Sequence, residues 1–138
     1  MGAVDWFARA REAQFDGRAL IDGKRRDAVG GETFVKSSPI DGRTLGPVAR
    51  CRETDVDAAV KSARAAFTDG RWAGKPPAVR KRLLQAFAAK ILGAKEELAL
   101  LETLDMGKPI QYSLAVDVPS TARTIAWYAE AIDKVYDE

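Results

Sequence analysis

The residue whose chemistry stands out is Cys51, set between two arginines in Val48-Ala49-Arg50-Cys51-Arg52. A thiolate is a strong nucleophile, and nearby guanidinium groups lower a thiol's pKa where they approach it. Sequence adjacency does not bring them to the sulfur. A lone cysteine is ordinarily a structural or incidental thiol, and Cys51 reads as one. The chain has no histidine. Ser–His–Asp triads, His-ligated zinc and imidazole acid–base catalysis are therefore excluded within these residues. Two basic runs, Lys24-Arg25-Arg26 and Arg80-Lys81-Arg82, lack the interleaved aromatics of a nucleic-acid surface and read as solvated faces. Trp72, Trp127 and Tyr128 invite comparison with a stacking platform, but packing against neighbouring helices is the better reading.

The bulk properties narrow the classes further. Basic and acidic residues number 22 and 20, so nothing drives the chain towards nucleic acid or an anionic membrane. A length of 138 residues suits about one domain. One cysteine precludes an intrachain disulfide and suits a reducing compartment. No apolar run approaches the roughly 20 residues needed to span a bilayer. The opening Met1-Gly2-Ala3-Val4-Asp5-Trp6 has no basic and apolar signal-peptide regions, and Trp6 stands where a myristoylation motif wants Ser or Thr. A cytoplasmic protein is expected, with no nucleic-acid and no membrane partner.

The elements that must position these residues fall into two stretches. Residues 4–15 predict a short helix with Asp5 as cap. Asp22-Gly23 predicts a tight hairpin turn between strands at 19–21 and 24–27. Further strands are expected at 33–36 and 45–51, separated by the turn Ser38-Pro39-Ile40-Asp41-Gly42, with Pro47 marking an edge or bulge. From Thr54 the pattern turns helical. Thr54 and Asp57 have capping-box spacing, and Val56, Ala59, Val60, Ala63 and Phe67 form one apolar face. Asp69-Gly70 ends that helix, and Pro76-Pro77 opens the next. There Val79, Leu83, Phe87 and Ile91 recur, with Leu84 and Ala88 alongside. A third helix spans 94–106, with Leu98, Leu101 and Leu104 inward, and Gly107 and Pro109 stop it. A last helical region covers 110–136, split or kinked at Pro119, with Ile125, Tyr128, Ile132 and Val135 on one face. No Gly-x-Gly-x-x-Gly and no P-loop is present.

Four segments carry a family resemblance. Ser38-Pro39-Ile40-Asp41-Gly42 with Leu45-Gly46 is one, and Asp55-Val56-Asp57-Ala58-Ala59-Val60 through Ala65-Ala66-Phe67 is another. Trp72 with Arg80 and Leu83-Leu84 is the third, and Glu102-Thr103-Leu104-Asp105-Met106-Gly107-Lys108-Pro109 the fourth. In this order and spacing the chain resembles the N-terminal portion of the NAD-dependent aldehyde dehydrogenases. Its end, Ala131-Ile132-Asp133-Lys134-Val135-Tyr136-Asp137-Glu138, looks like the subgroup acting on ω-amino or γ-glutamylamino aldehydes.

The resemblance implies an α/β fold: an aldehyde dehydrogenase-like N-terminal portion with a β-hairpin head and helical body, lacking the complete Rossmann sheet. Residues 1–18 would be an N-terminal helix or arm. Residues 19–138 would be the N-terminal part of the NAD-binding domain, with strands over about 19–51 and helices over about 54–136. The family's nucleophilic Cys and general-base Glu lie downstream, and Cys51 does not match the nucleophile's motif. By alignment, Val116, Asp117 and Ser120 match positions lining the substrate entrance, where a carboxylate would attract a cationic aldehyde. The alternative is a surface aspartate capping the segment at Pro119. Asp105 matches a position that in some members helps hold a structural cation, with the carbonyl of Lys36 as partner; a hard cation needs several oxygens. Its alternative is an anchor for the Met106-Gly107 turn. The expected function is thus the N-terminal fragment of an NAD(P)-dependent oxidoreductase converting an aldehyde to a carboxylic acid, inactive alone. NAD or NADP belongs to the full-length protein, and none is expected to bind this chain by itself. Expected partners are an aldehyde in the full-length family, and further subunits in a homo-oligomer. The alternatives are a non-catalytic interaction module docking on full-length subunits, or a decayed truncated product.

Overall fold

The computed structural model describes residues 4–134. They form two compact units, one of residues 12–73 and one built from the residues on either side of that stretch.

In the first unit, β1 (Ala19–Ile21) and β2 (Lys24–Arg26) pair antiparallel, with Ile21 opposite Lys24. Asp22 and Gly23 both have positive φ, 53° and 70°, the conformation that a two-residue primed turn requires. β3 (Thr33–Ser37) pairs antiparallel with β4 (Thr44–Ala49), with an irregularity between Lys36 and Ser37. Pro47 faces Val35 in this two-stranded ladder, where every strand is an edge and a missing donor is tolerated. The connecting turn closes through the Gly42 N–H on the Ser38 carbonyl at 2.9 Å. Gly17 bridges Val48 on the other side of β4. A Cβ at Gly17 would sit 2.2 Å from the Pro47 carbonyl oxygen, so only glycine allows this approach.

α2 (Glu53–Thr68) completes the unit and corrects two expectations. The helix begins one residue earlier, and its box is Arg52 with Asp55, not Thr54 with Asp57: the Asp55 carboxylate accepts the Arg52 N–H at 2.9 Å. The apolar face read from the helical spacing does not enter the core: Val56 and Val60 are exposed, and Phe67 is 71% exposed. Small residues face the hairpin instead. Ala58, Ser62 and Ala65 line a hollow with Ile21, Asp22 and Arg26. Small side chains let a helix lie close to a short hairpin; Val and Phe at those positions would hold it off.

In the second unit, α1 (Trp6–Glu12) is capped by Asp5, which accepts the Ala8 N–H at 2.9 Å, and is tied by an Arg9–Glu96 ion pair at 2.6 Å. α3 (Pro77–Gly93) starts with proline at its first position. α4 (Lys95–Met106) ends at Gly107, in the left-handed region at φ 79°. α5 (Ile110–Tyr112) passes into a π turn (Ser113–Asp117) and then α6 (Val118–Ala131). The expected break at Pro119 takes that form. The helical path continues, and the turn just before the proline widens to an i→i+5 bond from the Val118 N–H to the Ser113 carbonyl.

The core of this unit is Ala88, Ala99, Leu100, Leu104, Val118, Ala122 and Ala129, packed where α3 and α6 run together and α4 meets them. Leu104 is buried as expected, but Leu98 is 37% exposed, and Ala99 and Leu100 take the inward positions. Leu83, Phe87 and Tyr128 are exposed too, while alanines make the close helix contacts. Ile125 and Ile132 are half-buried; Val135 lies outside the described residues. Trp72 and Trp127, expected in the core, are exposed, Trp127 at 63% with an edge-on contact to Tyr128 at 4.9 Å. Nor is the second basic run simply solvated. Lys81 pairs with Glu130 at 2.7 Å and Asp133 at 3.0 Å, joining α3 to α6.

Candidate functional site

The residues expected at a substrate entrance lie on the π turn and the first turn of α6. Gly107 turns the chain out of α4, with its N–H on the Thr103 carbonyl at 2.9 Å, and Pro109 blocks any continuation. The Tyr112 N–H bonds the Pro109 carbonyl at 3.0 Å and starts the next helical path. Ser113, fully buried, shares a hydroxyl contact of 3.4 Å with Thr103, which pins the π turn to α4.

On that turn Val116 is 50% exposed and Asp117 is partly shielded. The Asp117 carboxylate forms an ion pair with the Lys108 ammonium. The hydrogen bond that Lys108 donates to the Asp117 carboxylate favours the charged ammonium and raises the Lys108 pKa, against desolvation; Glu102 adds to the rise through its field. Ser120 accepts from the Arg123 guanidinium at 3.0 Å. The structure thus brings Val116, Asp117 and Ser120 onto one continuous stretch and gives two of them cationic partners. Lys108 and Arg123 were missed in the sequence. Ser120 and Arg123 stand three apart on a helix, a spacing that could have flagged them. Lys108 and Asp117 are nine apart across a loop and a π turn, and no local period predicts their meeting.

Beside this stretch an apolar groove of about 530 Å³ is lined by Phe87, Lys90, Ile91, Leu98, Glu102, Val118 and Thr121. Asp105 is exposed at the end of α4, and Lys36 is half-buried on β3 in the other unit. Among the described residues no group of three His, Cys, Asp or Glu side chains is placed to hold a metal ion. Cys51 is exposed in the loop between β4 and α2.

A Rossmann fold seats a dinucleotide at the carboxyl ends of a parallel sheet, against a helix N-terminus. Both sheets here are two-stranded antiparallel ladders. Neither ladder offers the parallel strand ends at which that fold seats a dinucleotide.

The described residues form two small antiparallel sheets and a helical body, without a complete Rossmann sheet. The family model for the aldehyde dehydrogenase family matches residues 26–138, and the chain belongs to that family. It is 49% identical over 120 residues to aminoacetaldehyde dehydrogenase of Pseudomonas aeruginosa, covering 87% of this chain and 24% of that protein. The structure of gamma-glutamyl-gamma-aminobutyraldehyde dehydrogenase from Burkholderia cenocepacia J2315 superposes with a TM-score of 0.94 at 54% identity, over 97% of this chain and 27% of that one. A mutant indole-3-acetaldehyde dehydrogenase of P. syringae, in complex with NAD+ and IAA, gives 0.94 at 52% identity, over 97% of this chain and 27% of that one. The chain spans about a quarter of the length of the curated relatives it matches. No helix among the described residues is long and apolar enough to cross a membrane.

Proposed function

We propose that this chain is the N-terminal portion of an NAD(P)-dependent aldehyde dehydrogenase subunit, oxidising an aldehyde of the amino or γ-glutamylamino kind to its acid. The observation that supports this most is the 54% identity and 0.94 TM-score with the Burkholderia cenocepacia enzyme across nearly the whole chain. On this reading residues 19–138 belong to the NAD-binding domain, with 1–18 as its arm, in a cytoplasmic homo-oligomer. Val116, Asp117 and Ser120 border the substrate entrance. The chain supplies scaffold and entrance, while nucleophile, base and cofactor contacts come from elsewhere in the subunit. By itself it is inactive.

The test is the intact mass of the protein purified from its own cells, together with NAD(P) reduction on an aldehyde. A mass of about 50 kDa or more, as suits several hundred residues, with aldehyde-dependent reduction, supports the reading. A mass at the chain's own 15.0 kDa overturns it.

A second reading is favoured by the exposed Leu83, Phe87, Trp127 and Tyr128: a non-catalytic module that docks on full-length subunits. Pull-down of the tagged chain tests it; recovery of no dehydrogenase subunit rejects it.

A further inference from the structure

We propose that Lys108 is a specificity-determining residue of the substrate entrance: by pairing with Asp117 it cancels the carboxylate there, so that aldehydes with a neutral or zwitterionic far end are preferred over those ending in a bare ammonium. This rests on the reading of Val116, Asp117 and Ser120 as the entrance; it replaces the attraction of a cationic aldehyde expected from Asp117 alone and, of the two substrate kinds in that reading, favours γ-glutamylamino over amino aldehydes.

The argument is geometric. Asp117 is the last residue of the π turn, and Lys108 sits in the stop after Gly107. One extra residue in a helical turn rotates the preceding segment by about 100° relative to α6. The π turn therefore sets where Asp117 stands relative to the Lys108 loop, and the Thr103–Ser113 contact holds that turn in place. The two charged groups are in direct contact. Ser120 is likewise already met by a cation, since its hydroxyl accepts from Arg123 at 3.0 Å. Val116 adds an apolar, half-exposed surface. An incoming ammonium would have to displace the Lys108 ammonium from Asp117 and approach a second cation, the Arg123 guanidinium, at Ser120. A neutral chain meets Val116 at no such cost. A zwitterionic head keeps its carboxylate for the cations. Removing Lys108 would leave Asp117, with Glu102 nearby, as a net anionic field.

The experiment compares β-aminopropionaldehyde with propionaldehyde in the full-length subunit that carries this chain. For Lys108→Met the ratio of kcat/KM, cationic over neutral aldehyde, should rise roughly five- to tenfold, and more at low salt. For Asp117→Asn, which leaves Lys108 without its counter-charge, the ratio should fall. The double variant should return towards the wild-type ratio, and Lys108→Arg should keep it. A clamp with only a structural role moves both aldehydes together; an unchanged ratio in both single variants overturns the proposal. If Lys108→Met does not fold, Asp117→Asn carries the same test with the opposite sign. If the wild-type subunit oxidises neither aldehyde, the entrance reading fails and this proposal falls with it. Activity with a constant ratio rejects this proposal alone.

Discussion

The Asp55 carboxylate joins two backbone donors: its Oδ1 accepts the Val29 N–H at 3.0 Å, and its Oδ2 accepts the Arg52 N–H at 2.9 Å. One side chain thus caps α2 and fastens the loop before β3 to it. Both hydrogen bonds favour the ionised carboxylate, and they hold its pKa below 3.8 against burial. A lowered native pKa stabilises the fold above the unfolded value, and that contribution is lost as pH falls through the native one. Amide protection at Val29 and Arg52, corrected for intrinsic exchange, should therefore hold above about pH 4 and decline below it. In Asp55→Asn protection should be lower throughout and lose this acid-dependent step. An unchanged acid step would reject Asp55 as its source.

Gly17→Ala should destabilise the strand unit. The added Cβ would meet the Pro47 carbonyl and the Val48 Cα, which are backbone atoms that a rotamer change cannot move aside. Overpacking of this kind costs about 1–3 kcal/mol. Chemical denaturation monitored by a strand-unit probe checks it, and a midpoint equal to wild type would show that Gly17 does not approach β4 this closely.

Leu104 and Leu98 stand on the same helix with opposite fates, at 4% and 37% exposure. Leu104→Ala should cost about 2–5 kcal/mol, as for other buried leucines. Leu98→Ala in the same chain should cost well under half of that. Equal losses in urea titrations would mean that the inward face of α4 is assigned wrongly.

Lys81 bridges α3 to the end of α6 through Glu130 and Asp133. Its pKa is raised, and those of both carboxylates are lowered, by these contacts. Lys81→Met should therefore weaken amide protection over the last turn of α6, and added salt should shrink the difference between variant and wild type. Equal protection at low salt in both proteins would show the bridge to be inert.

What could be read from residue order was local. Asp22-Gly23 needs positive φ at both positions, so the hairpin was legible. Pro77, Gly107 and Pro109 act within one turn of themselves, so the helix limits were legible to within a residue or two. Family membership was legible because four short segments keep their order. The burial of particular faces was not. Helical period located the apolar stripe of α2 but could not show that Ala58, Ser62 and Ala65 face the hairpin, because a short sheet accepts small side chains before large ones. At the α3–α6 contact, close approach of two helix backbones likewise buries Ala88, Ala122 and Ala129 and leaves Phe87 and Tyr128 outside.

The candidate entrance divides in the same way. Alignment of the Glu102-Thr103-Leu104-Asp105-Met106-Gly107-Lys108-Pro109 segment and the residues after it placed Val116, Asp117 and Ser120. It did not show that Asp117 already has a counter-ion. The sequence by itself determined the turns, the helix stops, the helical stripes and the family, because each depends on residues close along the chain or on their order. Only the tertiary structure decided which side of each helix is buried and that Lys108 meets Asp117. Those outcomes depend on how closely two backbones approach, and on a π turn whose phase no local period encodes.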